Sequence, residues 1–253
     1  MRPLTGGAPK ELIEVAGEPL LVRVLRECAA SGVHRALVVI APGKEVIERV
    51  AAPLAGAAGM PAHIDFATQP GARGLADAIR FGRDFAAGAP LAVVLPDNLF
   101  VGAAPAVAQV AAAYEATGAN VVAVVPVRAE DAPRRGPTPV YAGRLDGDLF
   151  HLARIPDKGA HGATFDPEGR EAAFTGVGRY VFTPDAYPVI DAVERSLAAG
   201  AELDDVPVLQ ALLSGGRLVG RLIRGRFLDA GIPAGYREAQ AVLTGRHTGT
   251  PDA

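Results

Sequence analysis

The chain has 253 residues, of which 49% are hydrophobic and 21% charged, and its formal net charge is −3. This length and composition predict a globular protein with an ample core, built as one large α/β domain or two small ones. The mild acidity, without a basic cluster in the sequence, argues against nucleic acid or an anionic membrane as a partner. No apolar run approaches the ~20 residues that span a bilayer, and the first ten residues lack the apolar centre of a signal peptide.

The sequence contains a single cysteine, Cys28. One cysteine excludes an internal disulfide and is compatible with a reducing cytoplasm, which is the location we expect. Cys28 falls within an apolar helical pattern, so we interpret it as a core residue rather than a nucleophile.

The first half of the chain alternates helices and strands. Short apolar runs bounded by turn residues predict strands at 36–41, 62–68, 91–95 and 120–127. After a loop over 1–18, the spacing of apolar residues predicts helices at 19–30, 44–54, 74–85 and 105–117. Alternation of this kind implies a parallel sheet with helices on both faces.

The second half has a less regular pattern. Residues 128–175 are rich in glycine, proline and charge around two strand-like pieces, at 139–142 and 149–155. Further strands are predicted at 179–183, 217–223 and 226–228, and helices at 184–198, 206–213 and 233–243. No repeat or low-complexity linker separates the halves, so we expect a single domain over 1–243 and a flexible tail over 244–253.

Asp97 stands just beyond the strand predicted at 91–95. Pro96 cannot donate to a strand ladder and therefore marks the end of that strand. Open α/β sheets bind ligands beyond the carboxyl ends of their strands, and a carboxylate there can hold a divalent cation against a phosphate. Taken alone, the segment is equally compatible with Asp97 and Asn98 merely capping a turn.

Five segments, in the right order along the chain, resemble the sugar-1-phosphate nucleotidylyltransferases, the uridylyl- and thymidylyltransferases of the glucose-1-phosphate family. They read PKELIEV followed by EPLL, QPGARGLADA, LPDNLFVG, TGVGRYVFTPD and FLDAGIPAGY. The resemblance implies a Rossmann-like, mixed and mostly parallel sheet with helices on both faces. It also implies that 1–127 bind the nucleotide and 128–243 the sugar phosphate.

The same resemblance implies a reaction and its participants. A hexose-1-phosphate, with glucose-1-phosphate as the first choice, would receive a nucleotidyl group from UTP or dTTP, and pyrophosphate would leave. Mg²⁺ is the implied cofactor, and a homo-oligomer is compatible with the family. The reaction needs no covalent protein intermediate, so alignment and charge compensation would carry the catalysis.

The resemblance assigns roles to individual residues. Lys10 would contact the triphosphate, Gln69 can offer both a donor and an acceptor to a pyrimidine edge, and Lys158 would hold the sugar phosphate. The implied catalytic residues are Lys10, Asp97 and Lys158; the nucleotide-binding residues are Lys10, Gln69, Gly74, Asp97 and Asn98; the sugar-phosphate-binding residues are Gly136, Asp157, Lys158, Gly178 and Tyr180; and the metal ligands are Asp97 and Asp229.

The family's glycine-rich loop, Gly-x-Gly-Thr-Arg, and the strand before it do not occur in this sequence. We therefore expect an open position in the centre of the sheet. We also expect a working protein that begins roughly 15–25 residues upstream, enough for a strand and a phosphate-binding loop. The alternative is that a partner or a rearranged segment takes that position.

Two other functional hypotheses can be weighed on the sequence. A catalytically silent relative that binds nucleotide or sugar phosphate, as a regulator or subunit, stays open because of the absent loop. A dinucleotide-dependent oxidoreductase is excluded, because no Gly-x-Gly-x-x-Gly follows a strand anywhere in the chain.

Overall fold

The computed structural model describes residues 9–127, 141–157 and 173–245. Two predicted site residues, Gly136 and Lys158, lie outside the described residues. The helices are α1 (Leu20–Ala30), α2 (Val46–Ala51), α3 (Leu75–Arg80), α4 (Gly82–Ala86), α5 (Ala106–Thr117), α6 (Ala186–Ser196), α7 (Asp205–Ser214) and α8 (Pro233–Leu243), with short 3-10 helices at Lys10–Leu12 and Ala52–Leu54. No helix in these ranges combines the length and apolar character that crossing a membrane requires.

The strands form one large sheet and three smaller pairs. They are β1 (Glu14–Val15), β2 (Glu18–Pro19), β3 (Arg35–Ile40), β4 (His63–Thr68), β5 (Leu91–Val94), β6 (Asn98–Val101), β7 (Asn120–Val127), β8 (Ala142–Asp146), β9 (Leu149–Arg154), β10 (Ala173–Phe182), β11 (Leu218–Leu222) and β12 (Arg226–Asp229).

The large sheet has six strands in the order β5-β10-β7-β11-β9-β8. Strands β7 and β11 pair in parallel. Strand β10 is antiparallel to both β5 and β7, and β9 is antiparallel to both β11 and β8. It follows that β5, β7, β11 and β8 run in one direction while β10 and β9 run in the other. The Rossmann-like α/β class with a mixed sheet is confirmed.

Strand β7 shows why this sheet carries helices on both faces. Its residues alternate between two apolar clusters, as successive strand residues must. Val122 and Val124 belong to a cluster that includes residues of α3, α6 and α7. Val121, Ala123 and Val125 belong to another cluster, formed largely with α5. Burial on both faces explains the continuous apolar run that predicted this strand.

The smaller pairs lie beside the main sheet. Strands β3 and β4 pair in parallel over six residues, and β6 pairs antiparallel with β12, with Asn98 opposite Asp229. Strands β1 and β2 form a tight hairpin whose turn residues, Ala16 and Gly17, both have positive φ. That backbone is the one a two-residue hairpin needs.

A gap separates β3 from β5. Among the described strands, β3 pairs only with β4, and β5 pairs only with β10. A cavity of about 260 Å³ lies between β3 and β5 and is lined by residues of both strands and of α1, α3 and α4. The expected open position in the sheet is therefore present, between these two strands.

Several predicted elements differ from those observed. The strand predicted at 179–183 spans Ala173–Phe182, and the one predicted at 139–142 lies at Ala142–Asp146. The loop predicted over 1–18 contains the β1–β2 hairpin, and the helix predicted at 74–85 is divided into α3 and α4. Of the two residues that could have capped a turn, Asp97 lies in a turn, whereas Asn98 is the first residue of β6, which pairs with β12. Only three residues separate β5 from β6, so the sequence shows one strand followed by polar residues where the structure has two strands.

Candidate functional site

The pairing of β6 with β12 brings two of the predicted carboxylates together. A β-carbon added at Gly231 would stand 2.9 Å from Oδ2 of Asp97 and 3.0 Å from Oδ1 of Asp229. Because both oxygens lie about 3 Å from one point, they can be no more than 5.9 Å apart, the sum of those two distances. The backbone N–H of Ala230 also donates to the carbonyl of Asp97, at 2.8 Å. Two residues 132 positions apart in sequence thus face each other across one ladder.

The donor set at this point fits a magnesium ion. Mg²⁺ is usually held by one or two carboxylates, with phosphate oxygens and waters completing its octahedron. Within the described ranges, no cluster of three or more His, Cys, Asp or Glu side chains could hold a metal by itself. Asp97 and Asp229 would therefore hold the ion only together with oxygens from the substrate or water, which is the arrangement that phosphate-bound Mg²⁺ prefers.

Lys10 lies at the same place. Its Nζ is 2.7 Å from Oδ2 of Asp97, and the lysine side chain is 49% exposed whereas that of Asp97 is 15% exposed. Partial burial by itself lowers the pKa of Lys10, but the net shift is upward because attraction to Asp97, Glu11 and Asp229 is stronger. The Lys10 ammonium therefore stays charged at neutral pH, beside the two carboxylates and within reach of solvent.

The loop that carries Asp97 is held by a fully buried arginine. Arg179 on β10 makes a two-pronged ion pair with Glu27 of α1, with Nε–Oε1 at 2.9 Å and Nη2–Oε2 at 2.6 Å. Its remaining N–H groups donate to the carbonyls of Leu95 (3.1 Å), Gly178 (2.8 Å) and Asn98 (2.8 Å). All five donors of the guanidinium are used, and two of the acceptors flank Asp97 in sequence.

Asn98 and Gly178 complete this support. The side-chain amide of Asn98 donates to Oδ1 of Asp97 at 3.2 Å, and its oxygen accepts from the backbone N–H of Gly178 at 2.8 Å. A β-carbon on Gly178 would stand 2.5 Å from Cβ of Leu95, so only glycine allows β10 to approach this closely. In the structure, Asn98 and Gly178 thus fix the position of Asp97 through protein contacts.

A second group of predicted residues lies at the end of β4. The backbone N–H of Gln69 donates to the carbonyl of Ile40, so Gln69 follows the carboxyl ends of both β3 and β4. The side-chain Nε2 of Gln69 donates to the carbonyl of Gly74 at 3.1 Å and to Oδ2 of Asp77 at 2.8 Å. Both partners are acceptors, so the amide nitrogen must face them and Oε1 is directed away from them.

Gly74 has a structural requirement of its own. Its φ is +100°, and a β-carbon there would come within 2.3 Å of the carbonyl oxygen of Leu203. The following residues, Ala76 and Asp77, donate their backbone N–H groups to the same carbonyl. Gly74 is therefore needed where the start of α3 meets the segment before α7, and this contact joins the first half of the chain to the second.

The sugar-phosphate residues predicted in the second half are more dispersed. Tyr180 lies in the core, where its hydroxyl donates to Oδ2 of buried Asp205 at 2.9 Å. Burial and the charge of Asp205 raise the pKa of Tyr180 well above its usual value. Asp157 accepts from the side chain of Gln210 at 2.9 Å. Tyr180, Asp157 and Gly178, the three of these residues that the structure describes, are engaged within the protein, and the assignments to Gly136 and Lys158 stay predictions.

Sequence patterns alone did not identify four residues of this region. Arg179 is fully buried and Glu27 is largely buried, whereas charged residues in a strand and a helix are ordinarily read as solvent-exposed. Asp77 orients Gln69, and its only signal was its position inside the QPGARGLADA segment. Gly231 borders both carboxylates, and its signal was the Asp-x-Gly pattern ending at 231.

These features define a class of protein. It is a Rossmann-like α/β protein whose ionic and polar side chains gather where β3, β4 and β5 end, the place where such sheets receive their ligands. A sequence profile described as nucleotidyl transferase matches residues 1–245, and the chain belongs to that family. The match confirms the sequence-based resemblance and the expectation of an enzyme of the nucleotidyltransferase type.

Individual relatives agree with the family. A protein of Bacillus subtilis (strain 168), provisionally assigned as a UTP–glucose-1-phosphate uridylyltransferase, is 29% identical over 252 residues, covering 92% of this chain and 88% of that protein. A UTP–glucose-1-phosphate uridylyltransferase of Pseudomonas aeruginosa is 27% identical over 258 residues, covering 94% and 88%. The crystal structure of a UDP-glucose pyrophosphorylase complexed with UDP-glucose superposes with a TM-score of 0.79 at 21% identity, covering 97% of this chain and 94% of that one.

Proposed function

We propose that the protein transfers a uridylyl or thymidylyl group from UTP or dTTP to a hexose-1-phosphate, with glucose-1-phosphate as the first candidate. The products are the nucleoside diphosphate sugar and pyrophosphate. The observation that carries this proposal is the convergence of Lys10, Asp97 and Asp229 at one point. The names of the relatives support the choice of uridylyl transfer to glucose-1-phosphate.

Gln69 is the residue that selects the base in this proposal. Since Asp77 and Gly74 both accept from its amide nitrogen, Oε1 is the atom offered to a ligand, and it can only accept. Uracil and thymine carry an N–H at position 3, whereas the same position of cytosine is an acceptor. An acceptor that faces position 3 of the base therefore favours UTP and dTTP over CTP.

The ionic residues act on the phosphates. Asp97 and Asp229 would hold Mg²⁺, which supplies positive charge to the phosphate oxygens when bound. The Lys10 ammonium neutralises charge on the triphosphate and helps to hold it in line with the acceptor. An oxygen of the sugar phosphate attacks the α-phosphorus; the new P–O bond forms as the bond to the β-phosphate oxygen breaks, and pyrophosphate leaves. Lys158 is the proposed ligand of the sugar phosphate.

Pyrophosphate release tests the proposal directly. UTP, dTTP, CTP and GTP are each incubated with a panel of sugar-1-phosphates and Mg²⁺. We expect release with UTP or dTTP and a hexose-1-phosphate, and none with CTP. Binding of UTP without release from any pair would instead support the catalytically silent relative.

Carboxylate variants test the metal assignment separately. Asp97→Asn and Asp229→Asn should each lower turnover by about 10²–10³-fold and weaken Mn²⁺ binding, which is measured by electron paramagnetic resonance. Asp146→Asn is the matched control, because Asp146 is exposed and its side chain lies 3.8 Å from His151, away from the two site carboxylates. Unchanged Mn²⁺ binding in both site variants would contradict the assignment.

A further inference from the structure

The oxygen of Asp97 that lies toward Asp229 is the one that Lys10 binds. Of the two carboxylate oxygens of Asp97, Oδ1 accepts from the side-chain amide of Asn98 at 3.2 Å. Oδ2 lies beside Gly231, close to Oδ1 of Asp229. This same Oδ2 accepts from the Lys10 ammonium at 2.7 Å. A metal ion shared by the two aspartates would therefore use the oxygen that Lys10 already binds.

An ammonium and a divalent cation on one carboxylate oxygen repel each other. The Lys10 nitrogen lies 2.7 Å from Oδ2 of Asp97. A magnesium ion on that oxygen, at about 2.1 Å, would be no more than about 4.8 Å from the nitrogen. The Asp97 side chain is only 15% exposed, so water and salt screen this repulsion incompletely. Binding of either cation to Oδ2 therefore weakens binding of the other.

The balance of charge at this point also depends on Lys10. The adjacent residue Glu11 pairs with Lys44 at 2.8 Å, so those two charges cancel. With Lys10 bound, Asp97 and Asp229 retain one negative charge between them. Once the ammonium leaves, the two carboxylates carry two negative charges, which a single divalent cation balances. Removal of Lys10 therefore prepares the pair for a metal ion.

Lys10 is the partner in this ion pair that is free to move. Its side chain is 49% exposed, and a lysine carries its charge on a flexible four-carbon stem. Asp97 is held in place by the amide of Asn98. The carbonyls of Leu95 and Asn98, which flank it in sequence, accept from buried Arg179. An anion that attracts the ammonium can thus separate the pair without moving Asp97.

We propose that Lys10 is a counter-ion that competes with metal for the aspartate pair until a triphosphate draws the ammonium away. The inference rests on the proposed function, because it takes a nucleoside triphosphate as the ligand to which Lys10 moves. Phosphate oxygens give the ammonium new acceptors and also supply oxygen ligands that Mg²⁺ needs. The protein therefore binds Mg²⁺ weakly by itself and more tightly together with the nucleotide.

Binding of Mn²⁺ without nucleotide tests the competition. Electron paramagnetic resonance measures the dissociation constant in the full chain and in its variants. Lys10→Met keeps an apolar side chain of similar length but removes the charge, so it should bind Mn²⁺ about fivefold more tightly than wild type or better. Lys10→Arg retains the charge beside Asp97, and its affinity should stay within about twofold of wild type.

A matched control separates competition at Oδ2 from the general effect of removing a positive charge. Arg226 lies on β12, the strand that carries Asp229. Its guanidinium pairs with Glu238 at 2.9 Å, and both side chains are exposed. Arg226→Met therefore removes one charge from the same strand without vacating Oδ2 of Asp97. It should change the Mn²⁺ affinity by less than about twofold.

Binding of UTP in the presence of a chelator tests where the ammonium goes. Calorimetry should show that Lys10→Met binds metal-free UTP about tenfold more weakly than wild type, because a charged donor to the phosphates is lost. The same substitution thus acts with opposite signs on the two ligands. A purely structural role for Lys10 would weaken the binding of both.

Unchanged or weaker Mn²⁺ binding by Lys10→Met would overturn the proposal, and so would an equal gain in Arg226→Met. Tighter Mn²⁺ binding with unchanged UTP binding would refute the movement of Lys10 to the phosphates. If none of the forms binds Mn²⁺, the proposal fails together with the metal assignment. Pyrophosphate release is scored separately, so release without the Mn²⁺ gain would leave the proposed function standing and refute the competition alone.

Discussion

Replacing Arg179 with methionine should be among the most damaging single substitutions in this chain. Its guanidinium is fully buried and Glu27 is only 14% exposed. Removing one partner of a buried ion pair costs about 3–5 kcal/mol, because the remaining charge is left without compensation. The carbonyls of Leu95, Gly178 and Asn98 lose their charged donors at the same time, so the upper end of that range is expected. A typical domain has only about 5–15 kcal/mol of net stability.

Urea unfolding followed by circular dichroism measures this loss. Arg217→Met is the matched control, because Arg217 pairs with Asp185 at the surface, where both side chains are more than 40% exposed. Surface pairs of this kind are worth about 0–1 kcal/mol. Arg179→Lys keeps the charge but loses the two-pronged geometry, so its stability should fall between wild type and Arg179→Met.

A double-mutant cycle with Glu27→Leu isolates the ion pair. In Arg179→Met the carboxylate of Glu27 is stranded, and removing it should restore part of the lost stability. We expect the loss of stability in the double variant to be about 1–3 kcal/mol smaller than the sum of the losses in Arg179→Met and Glu27→Leu. Additive losses, or an Arg179→Met variant no less stable than Arg217→Met, would refute the reasoning.

Three further substitutions test other parts of the structure. Hydrogen bonding from Arg224 and the charges of Arg221 and Arg224 lower the pKa of Asp148. The ionised Asp148 therefore stabilises the folded protein at pH values above its unfolded pKa, near 3.9. That contribution is lost as the pH falls through the lower, folded pKa. Asp148→Asn should therefore lower the free energy of unfolding by roughly 1 kcal/mol at pH 7. Below about pH 5, the free energy of unfolding should decline less steeply in the variant than in wild type. Urea titrations at a series of pH values measure both effects. Lys158→Ala should raise the Michaelis constant for the sugar-1-phosphate about tenfold or more while leaving that for the nucleotide near wild type; equal changes in both constants would contradict its role. Asp77→Asn lets Gln69 turn its amide over, so the preference for UTP over CTP should fall about tenfold, whereas a purely structural role would lower both rates and keep their ratio.

The sequence predicted best those elements that carry a clear local signal. The run at 120–127 matches β7 because both faces of that strand are covered. The helix at 233–243 matches α8 because Pro233 supplies a rigid first turn. Strand β6 was missed, since its identity depends on pairing with β12 rather than on a local pattern.

The site residues also differ in how well the sequence predicted them, according to whether local motifs or long-range contacts define them. The carboxylates were found through family motifs, but their proximity depends on the register that puts Asn98 opposite Asp229, and register between distant strands has no local signal. The ion pair between fully buried Arg179 and Glu27 is harder still to predict, because a charged residue in a strand or helix ordinarily indicates a solvated surface. Only the three-dimensional arrangement shows that Gln69 offers an acceptor, since Asp77 fixes its amide from eight residues away.

Helix α1 connects the open gap to the carboxylate site. Its residues Leu25 and Cys28 line the gap, and Glu27, between them, holds the arginine that fixes the carbonyls on either side of Asp97. A group bound in the gap would pack against α1 and restrict its movement. Because the Glu27 carboxylate moves with that helix, restriction of α1 also restricts Arg179 and the loop of Asp97. Occupancy of the gap and order in the site are therefore expected to change together, through contacts that the described chain already contains.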